Sequence, residues 1–186
     1  MRLFIAIEIP EEIREFLSEL TSFKSPIEGV NFVQKENFHI TLKFLGEVKE
    51  SLIPEITNKL NKIASEFSDF TLNITHPGVF PDKYKPRVIW IGTENTDIIK
   101  TMAKKIDEEL SQFGFQREER DFKSHITLAR VKNLKNGKYV FEKVLKNFSE
   151  KSPKFSFHIK EFVLMKSTLT SKGSVYDVLQ RFSLVK

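Results

Sequence analysis

Apolar positions recur along this chain with two periods. Residues 2–9, Arg2-Leu3-Phe4-Ile5-Ala6-Ile7-Glu8-Ile9, form a nearly continuous apolar run that reads as a strand. Pro10-Glu11-Glu12 then has the signature of a helix start, because acidic side chains in a first turn face the positive end of the helix dipole. Ile13, Phe16, Leu17 and Leu20 follow at helical spacing, predicting a helix to about residue 24. The same period returns over 51–67, 96–112 and 137–148. Extended segments are predicted at 30–34, 38–45, 71–75, 87–92 and 123–130, with Pro77, Gly78 and Pro81 marking a turn-rich connection. The chain closes in two strands, 155–167 and 174–184, about a turn at Ser171-Lys172-Gly173. Strands and helices are intermixed, and no Pro- or Ser-rich linker divides them. The pattern predicts an α+β protein forming one compact domain over residues 1–186, with two lobes.

Two of the strands carry the same tetrapeptide. His-Ile-Thr-Leu occupies residues 39–42 and again 125–128. On a strand of period two, Ile40, Leu42 and Phe44 share one face while His39, Thr41 and Lys43 share the other. The second copy divides in the same way, with Ile126 and Leu128 opposite His125 and Thr127. Arg130 has the parity of the apolar face, so a bulge or the end of the strand must turn it if it is to join the polar group. Brought face to face, the two strands would surround one cleft with two imidazoles and two hydroxyls.

That set suits displacement at a phosphodiester. An imidazole with a pKa near ~6.5 serves as base or acid at neutral pH, so a pair supplies both. Thr41 and Thr127 can donate hydrogen bonds to phosphate oxygens, and Lys43 or Arg130 can neutralise charge that grows in the transition state. A two-histidine metal site is the competing chemistry. It needs a further ligand, and no acidic residue shares the polar face of either strand. No metal or other cofactor is therefore expected.

Composition narrows the class without deciding it. The 186 residues contain no cysteine, which excludes disulfides, thiolate zinc sites and cysteine nucleophiles. The first apolar run is too short for a signal-peptide core, and no stretch approaches a membrane span. A cytoplasmic protein without membrane contact, and a monomer, is the expectation. A net charge of +5 mildly favours encounter with polyanions such as RNA.

The chain resembles the 2H phosphoesterase superfamily, whose hallmark is a pair of His-x-Thr-x motifs. More narrowly it is similar to the RNA 2′,3′-cyclic phosphodiesterases, historically called 2′-5′ RNA ligases. The resemblance runs through Asn37-Phe38-His39-Ile40-Thr41-Leu42-Lys43-Phe44-Leu45-Gly46, Gly78-Val79-Phe80-Pro81, Pro86-Arg87-Val88-Ile89-Trp90-Ile91-Gly92 and His125-Ile126-Thr127-Leu128-Ala129-Arg130. Lys166-Ser167-Thr168-Leu169 with Gly173 and Tyr176 is similar to the closing hairpin of the family. The resemblance implies two pseudo-symmetric lobes, each an antiparallel sheet backed by helices, with the active-site cleft between them. It further implies metal-independent hydrolysis of a 2′,3′-cyclic phosphate at an RNA or nucleotide end to a 2′-phosphomonoester. His39 is then the proton donor to the leaving 3′ oxygen, His125 the proton acceptor from water, and Thr41 and Thr127 the phosphate-binding positions. Two alternatives are 2′-5′ ligation of RNA (tRNA) halves and a non-catalytic module that holds RNA ends. His76, His158 and Trp90 read as structural, Phe4 and Phe44 as core, and the lysines at 132, 135 and 138 as a solvated run.

Overall fold

The computed structural model describes residues 1–94, 96–151 and 154–186. Its strands are β1 (Arg2–Glu8), β2 (Val30–Phe32), β3 (His39–Glu47), β4 (Phe70–Phe80), β5 (Val88–Thr93), β6 (His125–Val131), β7 (Ser156–Ile159), β8 (Glu161–Thr170) and β9 (Gly173–Ser183). The helices are α1 (Glu11–Leu20), α2 (Ile53–Ala64), α3 (Asp97–Ser111) and α4 (Leu134–Lys151). The fold is α+β, as the alternation of periods predicts. All nine strands join one sheet in the order β7-β4-β5-β6-β3-β1-β8-β9, with β2 also against β6. Every pairing between these strands is antiparallel.

The two halves of the sheet meet where β3 and β6 are paired through Ile40 and Ile126 alone. Beyond that pair the strands part, and β2 takes over the free edge of β6 from Ala129 to Val131. Buried hydrophobic residues of all four helices join one core with Leu3, Ile5, Ile7, Ile40, Leu42, Ile89, Ile91, Ile126 and Leu128 from one face of the sheet. Phe4, Ala6, Val163 and Met165 form a smaller cluster with no helix residue in it. β1 is thus apolar on both faces, which explains why its sequence does not alternate. Among the described residues, no helix is long and apolar enough to cross a membrane.

Several boundaries differ from expectation. β4 runs through Pro77 and Gly78 to Phe80 instead of turning there. The proline falls at a register shift against β5, where a missing N–H costs little. Gly78 lies under the Trp90 ring, and a Cβ there would fall 2.2 Å from it. α4 begins earlier than its apolar period, because Asn133 Oδ1 accepts the N–H of Asn136 at 3.2 Å and caps the first turn. The single strand expected over 155–167 is broken at Lys160: β7 pairs with β4 and β8 with β1, so one residue carries the chain between the halves.

Each histidine strand also has a bulge at the same distance from its histidine. Along β3, Thr41 pairs with Ala6 and Lys43 with Ile5, leaving Leu42 as the extra residue. Along β6, Thr127 pairs with Trp90 and Ala129 with Ile89, leaving Leu128 as the extra residue. A bulge reverses side-chain parity beyond it. Lys43 and Ala129 are consequently buried, while Phe44 and Arg130 emerge on the histidine face.

Lys43 therefore corrects the expected phosphate contact. Its ammonium is fully buried, 2.6 Å from Asp107 Oδ1 of α3 and 2.8 Å from the Gln116 carbonyl. Asp107 Oδ1 also accepts the N–H of Glu118 at 3.1 Å. Burial alone would raise the Asp107 carboxyl, but the bonds from Lys43, Glu118 and Arg117 outweigh it and hold its pKa below the usual range. The pair pins the segment leading into β6 against the bulge of β3. Removing one partner strands the other charge, so Lys43→Met should cost about 3–5 kcal/mol of stability in denaturant titrations. Lys43→Met combined with Asp107→Leu should recover part of that loss.

Candidate active site

His39 and His125 are the first residues of β3 and β6, each immediately before the Ile40–Ile126 contact. Their surroundings match in detail. His39 Nδ1 lies 2.7 Å from the carbonyl of Asn37, and His125 Nδ1 lies 2.6 Å from the carbonyl of Lys123. A carbonyl only accepts, so Nδ1 carries the proton in both rings and Nε2 is the remaining acceptor. Thr41 Oγ1 lies 3.0 Å from His39 Nε2 and donates to it. Thr127 holds the corresponding place on β6 and is half-buried like Thr41.

Each ring stands among aromatic groups. Phe4 and Tyr176 flank His39 at 5.0 and 5.4 Å between ring centroids. Phe80 and Trp90 flank His125 at 5.1 and 6.0 Å. Behind His125 the buried hydroxyls of Thr93 and Ser124 hydrogen-bond each other. Asn37, whose carbonyl orients His39, also donates its side-chain N–H to the Ser174 carbonyl at 2.7 Å, tying this ring to the β8–β9 hairpin. Beside Phe4 and Tyr176 lies a cavity of about 370 Å³ whose lining includes Arg2, Phe44, Arg130 and Ser167.

The structure thus brings His39, His125, Thr41, Thr127 and Arg130 to one face and removes Lys43 from it. Phe44 is also a correction: it is 58% exposed on the cavity wall instead of sitting in the core. Phe4 and Trp90 are buried as expected, yet each packs against the imidazole of a His-Ile-Thr-Leu motif. Asn37, Phe80 and Tyr176 had no separate chemical signal beyond the family-like segments that contain them. His158 bonds Asp69 at 2.9 Å and Thr71 at 3.3 Å, a structural arrangement on the outer strands.

Electrostatics favour neutral imidazoles. Burial chiefly, with the charges of Arg130, His125 and Arg14, pushes His39 from its ordinary 6.5 down to about 4, against the upward pull of its bond to Asn37. Burial likewise lowers His125, with Lys123 and Arg130 adding to the effect and the bond to the Lys123 carbonyl opposing it. An anion arriving at this face would relieve the cationic field of Arg130 and raise the proton affinity of both rings.

Comparison with known proteins agrees with this duplicated arrangement. Residues 7–90 and 91–176 each match the family described as LigT-like phosphoesterase, one match containing each histidine motif. The chain belongs to this family. A relative from Methanocaldococcus jannaschii, named RNA 2′,3′-cyclic phosphodiesterase, is 38% identical over 98% of this chain and 100% of its own length. One of the same name from Archaeoglobus fulgidus is 37% identical over 98% of this chain and 99% of its own. The crystal structure of E. coli LigT complexed with 3′-AMP superposes with a TM-score of 0.77 at 26% identity, covering 100% of this chain and 98% of that one. For this LigT-like chain, the depressed His39 pKa has a consequence for folding. Below about 6.5 the unfolded imidazole takes up a proton that the native one refuses, so stability present above pH 6.5 is lost as pH falls toward 4. His39→Gln should flatten this acid limb by up to ~3 kcal/mol, read from denaturant midpoints across that range. A residual slope from His125 should remain.

Proposed function

We propose that this protein is an RNA 2′,3′-cyclic phosphodiesterase that hydrolyses the cyclic phosphate to a 2′-phosphomonoester by two-histidine acid–base catalysis. The observation that carries the reading is the matched pair of imidazoles, each held by Nδ1 on a backbone carbonyl two residues upstream and flanking one strand contact. The names of the two archaeal relatives and the 3′-AMP bound to E. coli LigT support the substrate class.

The phosphate sits between the two strands, with Thr41 and Thr127 donating to its oxygens and Arg130 facing its charge. His125 Nε2 takes a proton from water as the water oxygen bonds to phosphorus. The bond from phosphorus to O3′ breaks, and O3′ receives the proton carried by His39 Nε2. One water is consumed, and exchange of a proton through solvent resets the pair. His39 is neutral in the free protein, so the anionic substrate must bring about its protonation. The nucleobase is received by the 370 Å³ cavity, where the exposed ring of Phe44 offers a face for stacking.

The test is hydrolysis of 2′,3′-cyclic AMP in EDTA, with the regiochemistry of the product determined by chromatography. Only the 2′-phosphate should form. His39→Ala and His125→Ala should each lower kcat by roughly 10²–10⁴, and the double variant should be little worse than either, because acid and base act as a unit. Activity that needs added metal, or that survives both substitutions, contradicts the reading; joined RNA halves as the main product would make it a ligase.

The pH profile supplies a separate check. The maximum of a bell-shaped kcat/KM curve lies midway between the two governing pKa values, and both histidines sit below 6.5 in the free protein. The optimum of kcat/KM on the cyclic mononucleotide should therefore fall on the acid side of 6.5. A maximum at alkaline pH would exclude this pair as the titrating groups.

A further inference from the structure

The connection between β4 and β5, residues 81–87, reads Pro-Asp-Lys-Tyr-Lys-Pro-Arg. It starts directly after Phe80, whose ring meets the His125 ring edge-on at 5.1 Å. The loop is built to hold one shape. Asp82 Oδ1 accepts the N–H groups of Tyr84 at 2.7 Å and Lys85 at 3.0 Å, and Arg87 N–H returns to the Phe80 carbonyl at 2.7 Å. Arg87 also donates to the Lys132 carbonyl at 3.0 Å, joining the loop to the chain beyond β6. Despite this order, Lys83, Tyr84, Lys85 and Arg87 are all exposed, Tyr84 at 67%.

The cations here carry no counter-charge among the described residues, unlike those that other parts of the surface neutralise. Lys35, Lys59, Lys105, Lys151, Arg117 and Arg181 each have a carboxylate partner. Among the described residues, Lys83, Lys85, Arg87, Lys123 and Lys132 have none. Within the loop, residues 81–87, the one acid is Asp82, and it has an oxygen committed to the loop backbone. Lys123 Nζ lies 4.6 Å over the Trp90 ring and 5.5 Å from the Phe80 ring, so the cationic patch is continuous with the wall around His125. Lys83 Nζ stands 5.2 Å from the Tyr84 ring, which leaves an aromatic face beside unneutralised cations. Single-stranded nucleic acid is held by this combination of backbone-neutralising cations and a ring on which a base can stack.

We infer that loop 81–87, together with Lys123 and Lys132, is the docking surface for the single-stranded RNA that leads into the reacting end. This rests on the cyclic-phosphodiesterase reading and extends it from the terminal nucleotide to the strand. A 2′,3′-cyclic phosphate closes a 3′ end, so every other nucleotide lies on its 5′ side and must leave the cleft over an adjoining surface. Lys83 and Lys85 neutralise phosphates of that segment, and Tyr84 stacks on one of its bases.

The experiment compares 2′,3′-cyclic UMP with a uridine decamer ending in the same cyclic phosphate, for the wild type, Lys83→Ala/Lys85→Ala and Tyr84→Ala. The wild type should prefer the decamer. Both variants should lose roughly tenfold or more of kcat/KM on the decamer and keep their rate on cyclic UMP. For the double variant, the slope of log kcat/KM against log salt on the decamer should fall by about 1.4, from about 0.7 per phosphate contact. Equal losses on both substrates, a wild type indifferent to length, or an unchanged salt slope would overturn the inference. If neither substrate is turned over, the catalytic reading falls by itself. Fluorescence anisotropy of a labelled decamer then decides the surface: weaker binding by the double variant sustains it, and unchanged binding removes it. Displacement of the decamer by polyglutamate at equal charge concentration would also remove it, by showing a surface that does not distinguish RNA from an acidic chain.

Discussion

The contact between Ile40 and Ile126 is the constraint on which the rest of this structure depends. Two central strands of one sheet would ordinarily pair along their length and bring their side chains into a continuous surface. Here they touch through one residue pair and then separate, with β2 closing the exposed edge of β6. Because each histidine directly precedes its isoleucine, the contact that joins the halves also sets the two imidazoles beside each other. The buried isoleucines face the helices, so burial of apolar area on one side of the sheet fixes the position of polar groups on the other.

The paired bulges at Leu42 and Leu128 complete this arrangement. They let each strand present a histidine and a threonine at one end and a different group farther along: an aromatic ring from β3 and a guanidinium from β6. The cost of the bulge in β3 is visible in Lys43, whose charge must enter the core and find Asp107 and the Gln116 carbonyl there. In β6 the same position is Ala129, which needs no partner. Duplicated backbone geometry thus supports different side-chain tasks in the two halves.

The site is electrostatically prepared for an anion. Burial and neighbouring cations lower the proton affinity of both imidazoles, and each ring is held by Nδ1 on a backbone carbonyl. The hydroxyls of Thr41 and Thr127 share this face with the imidazoles. The cations along loop 81–87 continue the same field outward, so the field that attracts the strand has the sign of the one that lowers the imidazole proton affinity until an anion offsets it.

The amino-acid sequence by itself determined the α+β class, most elements, the two histidine strands and the polar face that joins each histidine to its threonine. These features follow from local period and residue chemistry, which a linear pattern records directly. It also showed that Arg130 has the wrong parity for the site unless the strand is irregular. Only the tertiary structure decided that both strands are irregular at the same step, which turns Arg130 and Phe44 toward the cleft and Lys43 away from it. A bulge arises from how a strand fits its neighbour, so alternation along one strand carries no mark of it. For the same reason the Pro77-Gly78 step read as a turn: its fit beneath Trp90 depends on a ring supplied by β5. Tyr176, Phe80 and Asn37 likewise acquire their roles from distant partners, because proximity to an imidazole is a property of the packed sheet and not of any short segment.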